Sequence, residues 1–372
     1  MCFISLKKLA LCALVAVACT AQAQDKWLIG QSAPLTGGNG KFGQDIHDGA
    51  QAWFSWLNAK GGVHGKPIEL LSLDDKNDRK LAGANAGVLL DNKDVLALFG
   101  FASATLSLDA LPQAEKKGVA FFGPFSGANA VRTSSPVLFT VRASYGEEME
   151  KMLNFWTSLG FKRVSVIYYD DEVGKQNLEV VSQYLKKINL EPTALPLKRN
   201  APVGKAEVQA LLAQKPEVLL NTTISGAAAQ LQKELMAQGK MIPTSSLSFV
   251  GADQYIAAAG PASAGVSIAQ VVPSPTSPLP AVRECAQAME AAGSKTPMNS
   301  TQLEACFGAR VLAEGIRRAT TPVSRQSVLE SLSTLGTYDL GGYKITFGNG
   351  SQHGSKYVDL AMVTREGKLM TR

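Results

Sequence analysis

Apolar residues along this chain alternate between two spacings: short unbroken runs, and longer stretches in which they recur every three or four positions. The first is the mark of a buried strand and the second of a helix with one apolar face. On this reading 27–33 is a strand, 44–60 a helix stopped by Gly61-Gly62, 67–73 a strand and 79–92 a helix. Positions 95–99, 104–117 and 119–122 repeat the unit. Unbroken apolar strands belong in a sheet covered by helices on both faces.

A second series starts at Ser144-Tyr145-Gly146-Glu147, whose spacing is that of a capping box opening a helix to about 159. Strands are then predicted over 163–169, 191–197, 217–221, 247–250 and 265–270, with helices over 174–188, 205–213 and 226–238. Pro273, Pro275, Pro278 and Pro280 exclude a helix and mark an ordered crossover. Helical periodicity returns over 279–292, 301–318 and 324–333, followed by strand-like runs over 344–347 and 357–363 around a Gly/Ser turn.

Helices after the second series imply that the chain returns to the first. The expected fold is α/β, with two Rossmann-like lobes, each holding a mostly parallel central sheet, joined by three hinge crossovers near 142, 273–275 and 353–356. One lobe takes 24–142 with 274–355, and the other 143–273 with 356–372. A length of 372 residues fits two cores better than one.

Lys7 and Lys8, an apolar or small-residue stretch over 9–19, and Ala21-Gln22-Ala23 form the three parts of a secretory signal peptide over 1–23. The apolar stretch is too short to span a bilayer. A lipid anchor at Cys19 is the rival, but Ala16-Val17-Ala18 lacks the usual large aliphatic residue upstream. Either way the expected location is the periplasm. Beyond the leader only Cys285 and Cys306 remain, either as a bridge or as two buried thiols on adjacent helices. A bridge would close a loop of about 20 residues, worth about 3 kcal/mol. The net charge of +6, two units of it in Lys7 and Lys8, is spread without basic runs and does not suggest nucleic acid.

Gly38-Asn39-Gly40-Lys41-Phe42-Gly43 matches the dinucleotide fingerprint G-x-G-x-x-G. It begins several residues past the strand, however, and Asp74 and Asp75 lie about 30 residues on where about 20 is expected. The segment is read instead as a Gly-rich loop with backbone N–H groups facing a cleft. His47, His64 and His353 lack the spacing of metal ligands. Ser126 in Gly123-Pro124-Phe125-Ser126-Gly127 is not centred in G-x-S-x-G and has no evident base. No cofactor, metal or catalytic activity is expected.

Polar residues at strand-to-helix junctions matter more, because open α/β sheets bind ligands at the carboxyl ends of their strands. Ser103 and Thr105 follow one predicted strand, and Phe125 and Ser126 another. In the second series, Asn221-Thr222-Thr223 and Gly251-Ala252-Asp253-Gln254 hold the same kind of position. Ser103 and Asp253 would serve equally well as helix N-caps without any ligand.

Several stretches together resemble the type I periplasmic binding proteins of the leucine/isoleucine/valine-binding group. They are Ile29-Gly30-Gln31-Ser32-Ala33-Pro34-Leu35-Thr36-Gly37, Asn58-Ala59-Lys60-Gly61-Gly62-Val63-His64-Gly65-Lys66-Pro67-Ile68, Leu73-Asp74-Asp75, Gly118-Val119-Ala120-Phe121-Phe122-Gly123-Pro124, and Leu138-Phe139-Thr140-Val141-Arg142. The resemblance spans nearly the whole exported chain. It implies a small ligand held between two lobes that close by hinge bending and then dock on a membrane permease. It also implies that loops at Ser103–Thr105 and Phe125–Gly127 hold a ligand carboxylate, that Phe42 keeps the aromatic of the first loop, and that Asp253 meets an α-ammonium. Ala104 and Gly127 stand where a serine and a threonine are usual, and Val173 and Thr223 or Ile224 stand where the second lobe is usually aromatic. A first-lobe disulfide of some relatives is absent, its positions being Asn77 and Ser103.

The expected function is therefore that of the periplasmic substrate-binding component of a branched-chain-amino-acid-type ABC importer. Its cleft would be lined by Phe42, Ser103, Ala104, Thr105, Phe125, Ser126, Thr223 and Asp253 and would hold an amino acid or a related small carboxylate or amide. Aliphatic amides and aromatic carboxylates are the alternative cargoes. The expected partners are the inner-membrane permease subunits, with the protein itself a monomer. A sensory module for a membrane receptor would use the same fold and cleft.

Overall fold

The computed structural model describes residues 26–37, 39–199, 201–348 and 350–371. The expected signal peptide, Cys19 and Gly38 lie outside the described residues. The first series forms β1 (Trp27–Ala33), α1 (Gly40–Asn58), β2 (Ile68–Asp74), α2 (Arg79–Asp91), β3 (Val95–Phe99), α3 (Ala104–Ser107), α4 (Leu111–Lys117), β4 (Ala120–Phe122) and β5 (Leu138–Phe139). Among the described residues these strands make one parallel sheet in the order β2-β1-β3-β4-β5. Its interior strands are largely buried runs, β3 from Val95 to Phe99 being buried at every position, as two helix-covered faces demand.

The second series forms α5 (Tyr145–Ser158), β6 (Val164–Tyr169), α6 (Glu172–Lys186), β7 (Thr193–Leu197), α7 (Lys205–Ala213), β8 (Val218–Asn221), α8 (Ser225–Ala237), β9 (Thr244–Ser246), α9 (Ala252–Ala259) and β10 (Ser267–Gln270). The chain then returns to the first sheet with α10 (Pro280–Ala291), α11 (Ser300–Arg318), α12 (Arg325–Ser333), β11 (Gly336–Asp339) and β12 (Lys344–Phe347). It crosses back a last time to β13 (Asp359–Val363) and β14 (Leu369–Thr371). The second sheet runs β14-β13-β10-β9-β8-β6-β7, parallel except at β13 and β14. The α/β class and the two parallel-dominated sheets agree with the sequence reading.

Close helix contact explains the return. At Gly49 of α1 an added Cβ would stand 2.2 Å from the Gln302 carbonyl oxygen of α11, so only glycine permits this approach. Cys285 of α10 and Cys306 of α11, both fully buried, are joined in a disulfide.

Several local expectations are corrected. The Gly-rich loop is largely the first turn of α1, which starts at Gly40. Gly43 is needed for helix packing and not for a ligand, since its Cβ would lie 2.0 Å from the Pro34 carbonyl oxygen. The helix predicted over 104–117 is broken into α3 and α4, because Pro112 lacks the N–H that would continue the ladder. The strand predicted over 247–250 lies earlier, at β9, and 248–250 is a 3-10 turn. Short β11 and β14 were not foreseen; β11 is mostly exposed and lacks an apolar run.

Candidate functional site between the two sheets

Carboxyl ends of strands from both sheets converge on one small cavity. It is lined by Ser103, Ala104, Thr105, Ser126, Tyr145, Tyr169, Val173, Gly174, Asn177, Arg199, Thr222 and Phe249. Its volume of about 30 Å³ is room for roughly two waters. Wider hollows of about 700 and 960 Å³ exist, but they are open surface depressions away from these strand ends.

On the first-sheet side, Gly100 turns the chain out of β3 with φ +67°, a conformation that favours glycine. Ser103 then caps α3, its hydroxyl accepting from the Leu106 N–H at 3.2 Å. The Thr105 hydroxyl has no hydrogen-bond partner among the described residues. Beyond β4, the Ser126 hydroxyl accepts from the Ala128 N–H at 3.2 Å and donates to the Tyr145 hydroxyl at 3.4 Å. Burial holds the Tyr145 phenol above its ordinary pKa, so it stays protonated and able to donate.

On the second-sheet side, Tyr169 ends β6 and Asp171 caps α6 by accepting from the Gly174 N–H at 2.9 Å. Gly174 must be glycine, since its Cβ would lie 1.9 Å from the Tyr169 carbonyl oxygen. Arg199, just past β7, places its guanidinium 4.2 Å over the Tyr169 ring and donates from Nε and Nη2 to Asp171 Oδ2 at 3.0 and 2.6 Å. Burial raises the Tyr169 pKa and the Arg199 cation pulls it back. Asn177 of α6 is 5% exposed, yet its carboxamide has no partner among the described residues. Thr222 donates to the Ile167 carbonyl oxygen at 3.0 Å.

Four of the expected cleft residues, Ser103, Ala104, Thr105 and Ser126, line this cavity. Phe42 and Phe125 stand behind it: their rings meet edge to face at 6.3 Å, and Phe42 meets Phe249 at 5.5 Å, bridging the first-sheet and second-sheet sides. Thr223 is buried and turned inward, donating to Asn221 Oδ1 at 2.7 Å, and its neighbour Thr222 takes the lining position. Asp253 does not line the cavity. It is an exposed residue in the first turn of α9, where surrounding protein and the Asp45 carboxylate raise its pKa while Lys41 and Asn299 oppose them. Gly251, and not Asp253, is the N-cap there. The cavity residues that the sequence reading did not select, Tyr169 and Arg199 among them, mostly obey the same strand-end rule.

Where the crossings meet, a second cation is held differently. Arg142 is 1% exposed, with Nη2 3.5 Å from Glu148 Oε1 and Nε 3.6 Å from Glu304 Oε1, and it also donates to the Ser248 hydroxyl. Ser248 in turn donates from N–H and Oγ to Glu148 at 2.7 and 2.9 Å. Burial pushes the Glu304 carboxyl up to about 7 against the pull of Arg142, and raises that of Glu148 as well. The Tyr343 hydroxyl, 3.0 Å from both the Val271 carbonyl oxygen and the Ser355 hydroxyl, ties the second crossing to the third.

A family model described as "Periplasmic binding protein" matches residues 26–368. A Leu/Ile/Val-binding protein homolog 2 of Brucella abortus is 26% identical over 266 residues, covering 68% of this chain and 69% of that protein. The crystal structure of a possible leucine/isoleucine/valine-binding protein from Rhodopirellula baltica superposes with a TM-score of 0.90 at 25% identity, over 95% of this chain and 98% of that one. A substrate-binding periplasmic protein from Ralstonia solanacearum superposes with a TM-score of 0.87 at 30% identity, over 93% and 99%. With a pocket built between two parallel-dominated sheets and a match along nearly all its described length, the chain belongs to the periplasmic binding protein family, in its type I, leucine/isoleucine/valine-binding branch.

Proposed function

We propose that this chain is the capture component of a branched-chain-amino-acid-type ABC importer. It takes a small carboxylate or amide solute from the periplasm into the cavity between the lobes and delivers it to permease subunits in the inner membrane. Residues 24–142 with 274–355 act as one lobe and 143–273 with 356–372 as the other, the three crossings serving as the hinge. The protein works as a monomer, without a cofactor.

The observation that carries this reading is the narrowness of the cavity between the two sheets. Its lining, Phe249 included, comes from the sides of both sheets, Phe42 packs on the Phe249 ring, and about 30 Å³ admits no amino-acid-sized solute. Loading requires the lobes to part and release requires them to part again, which is the cycle of a carrier. A narrow, partly open chamber lined by hydroxyls, one amide, one cation and three aromatic rings suits binding without bond-making.

Thermal-shift screening of the purified protein against amino acids, short amides and aromatic acids tests the proposal. A true solute at 100 times its dissociation constant adds about 2.7 kcal/mol, a melting shift of a few degrees. Absence of a shift with every solute of that panel would refute the carrier reading.

A further inference from the structure

We infer that the solute is a small carboxylate with a flat apolar body and no ammonium group, its carboxylate gripped from the second lobe by Arg199 and Asn177. The inference rests on the carrier reading above and sharpens it.

The cavity has one formal charge on its wall, and it is positive. The nearest acid to that cation, Asp171, is fully engaged. Its Oδ1 accepts from the Gly174 N–H and its Oδ2 from two nitrogens of Arg199. This ion pair fixes the guanidinium by its Nε edge over the Tyr169 ring and leaves Nη1 without a partner among the described residues. A guanidinium held on one edge and open on the other is prepared for a second carboxylate.

Asn177 supports the same end of the solute. Asn177 is 5% exposed as a residue and its carboxamide has no partner among the described residues, so its N–H groups can serve an acceptor that enters the cavity. It lines the cavity with Arg199. Across the cavity the open Thr105 hydroxyl and the protonated Tyr145 hydroxyl supply further donors for polar oxygen on the solute.

An ammonium finds no such reception. Asp253 lies outside the cavity on α9, and Glu148 and Glu304 are bound to Arg142 at the crossings. An α-amino acid would bring its cation beside Arg199 with no lining carboxylate to receive it, a buried charge without a partner. The Tyr145, Tyr169 and Phe249 rings favour a flat body between them.

Calorimetric titration with matched pairs tests this: 3-phenylpropanoate against phenylalanine, and 4-methylpentanoate against leucine, which differ only in the amine. The acids without the amine are expected to bind at least tenfold more tightly than their partners. Arg199→Gln should weaken 3-phenylpropanoate roughly 10- to 100-fold. Val173→Trp, which fills the cavity and leaves the Asp171 pair intact, should abolish binding by a second route, and a cooperative melting curve for each variant excludes loss of fold as the cause. Tighter binding of the amino acids overturns the inference and leaves the carrier reading standing. Binding of a neutral amide with neither acid of a pair overturns the carboxylate assignment alone. Failure of every solute in the wider thermal panel removes both.

Discussion

Two arginines stand between the lobes, and their surroundings differ in every respect that matters for function. Arg142 is buried with a side-chain exposure of 2%, faces two carboxylates and a hydroxyl, and links the crossings. Arg199 keeps a side-chain exposure of 32%, is matched by one carboxylate and presents an open edge to a cavity. A buried cation surrounded by acids is a structural joint, since removing it strands charge. A cation with one satisfied edge is a receptor, since a ligand completes it without any rearrangement of partners.

Substitution at the joint should have the largest effect. Arg142→Ala leaves Glu148 and Glu304 buried without their cation and should cost about 3–5 kcal/mol of stability, read as a fall in the denaturant midpoint at pH 7. A loss below 1 kcal/mol would show that the joint is not holding the fold.

Glu304 makes the same joint sensitive to pH. Its carboxyl is raised from the ordinary 4.5 to about 7, so in that window the folded chain binds more protons than the unfolded one. Stability therefore falls as pH rises through the window, by at most about 3 kcal/mol, and is highest near its acid end. Glu304→Gln should flatten this part of the pH profile. An unchanged profile would assign the slope to other groups.

At the receptor the effects belong to binding and not to stability. Asn177→Leu should weaken a carboxylate solute about tenfold, the equivalent of one charge-assisted hydrogen bond, with a melting temperature close to that of the unaltered protein. Smallest of all is Asp253→Ala. Its carboxylate lies outside the cavity lining, so the expected change in solute affinity is below about twofold, and a loss of 2 kcal/mol or more would return it to the site.

The sequence carried the architecture further than it carried the site. Alternating apolar runs made the two parallel sheets legible, and the prolines from Pro273 to Pro280 located a crossing. The loops after β3 and β4 could be read because Ser103, Thr105 and Ser126 are hydroxyls at strand ends. Arg199 follows β7 in the same way but sits in Lys198-Arg199, which reads as an ordinary solvated pair until Asp171 and Tyr169 are seen around it. Asn177 lies on a helix interior, where nothing in one sequence separates a cavity-facing amide from a surface one. The joint was hidden for another reason: Arg142, Glu148 and Glu304 are brought together only by the return of α11 to the first sheet. Asp253 was read from its resemblance to an ammonium-binding acid, and local geometry turned it away, Gly251 taking the cap and leaving Asp253 exposed in the first turn of α9.

A carrier of this kind works by parting its lobes and closing them around a solute. In this structure the two sides are bridged where Gln254 of α9 donates to Asp45 of α1 at 2.5 Å. Spin labels on cysteines replacing Lys41 and Ala257, both exposed and on opposite sides of that bridge, would report the gap by double electron–electron resonance. A broad distribution with a long-distance population is expected in the solute-free protein, collapsing to one short distance when a binding solute saturates it. A single distance, the same with and without a solute that calorimetry proves is bound, would contradict it.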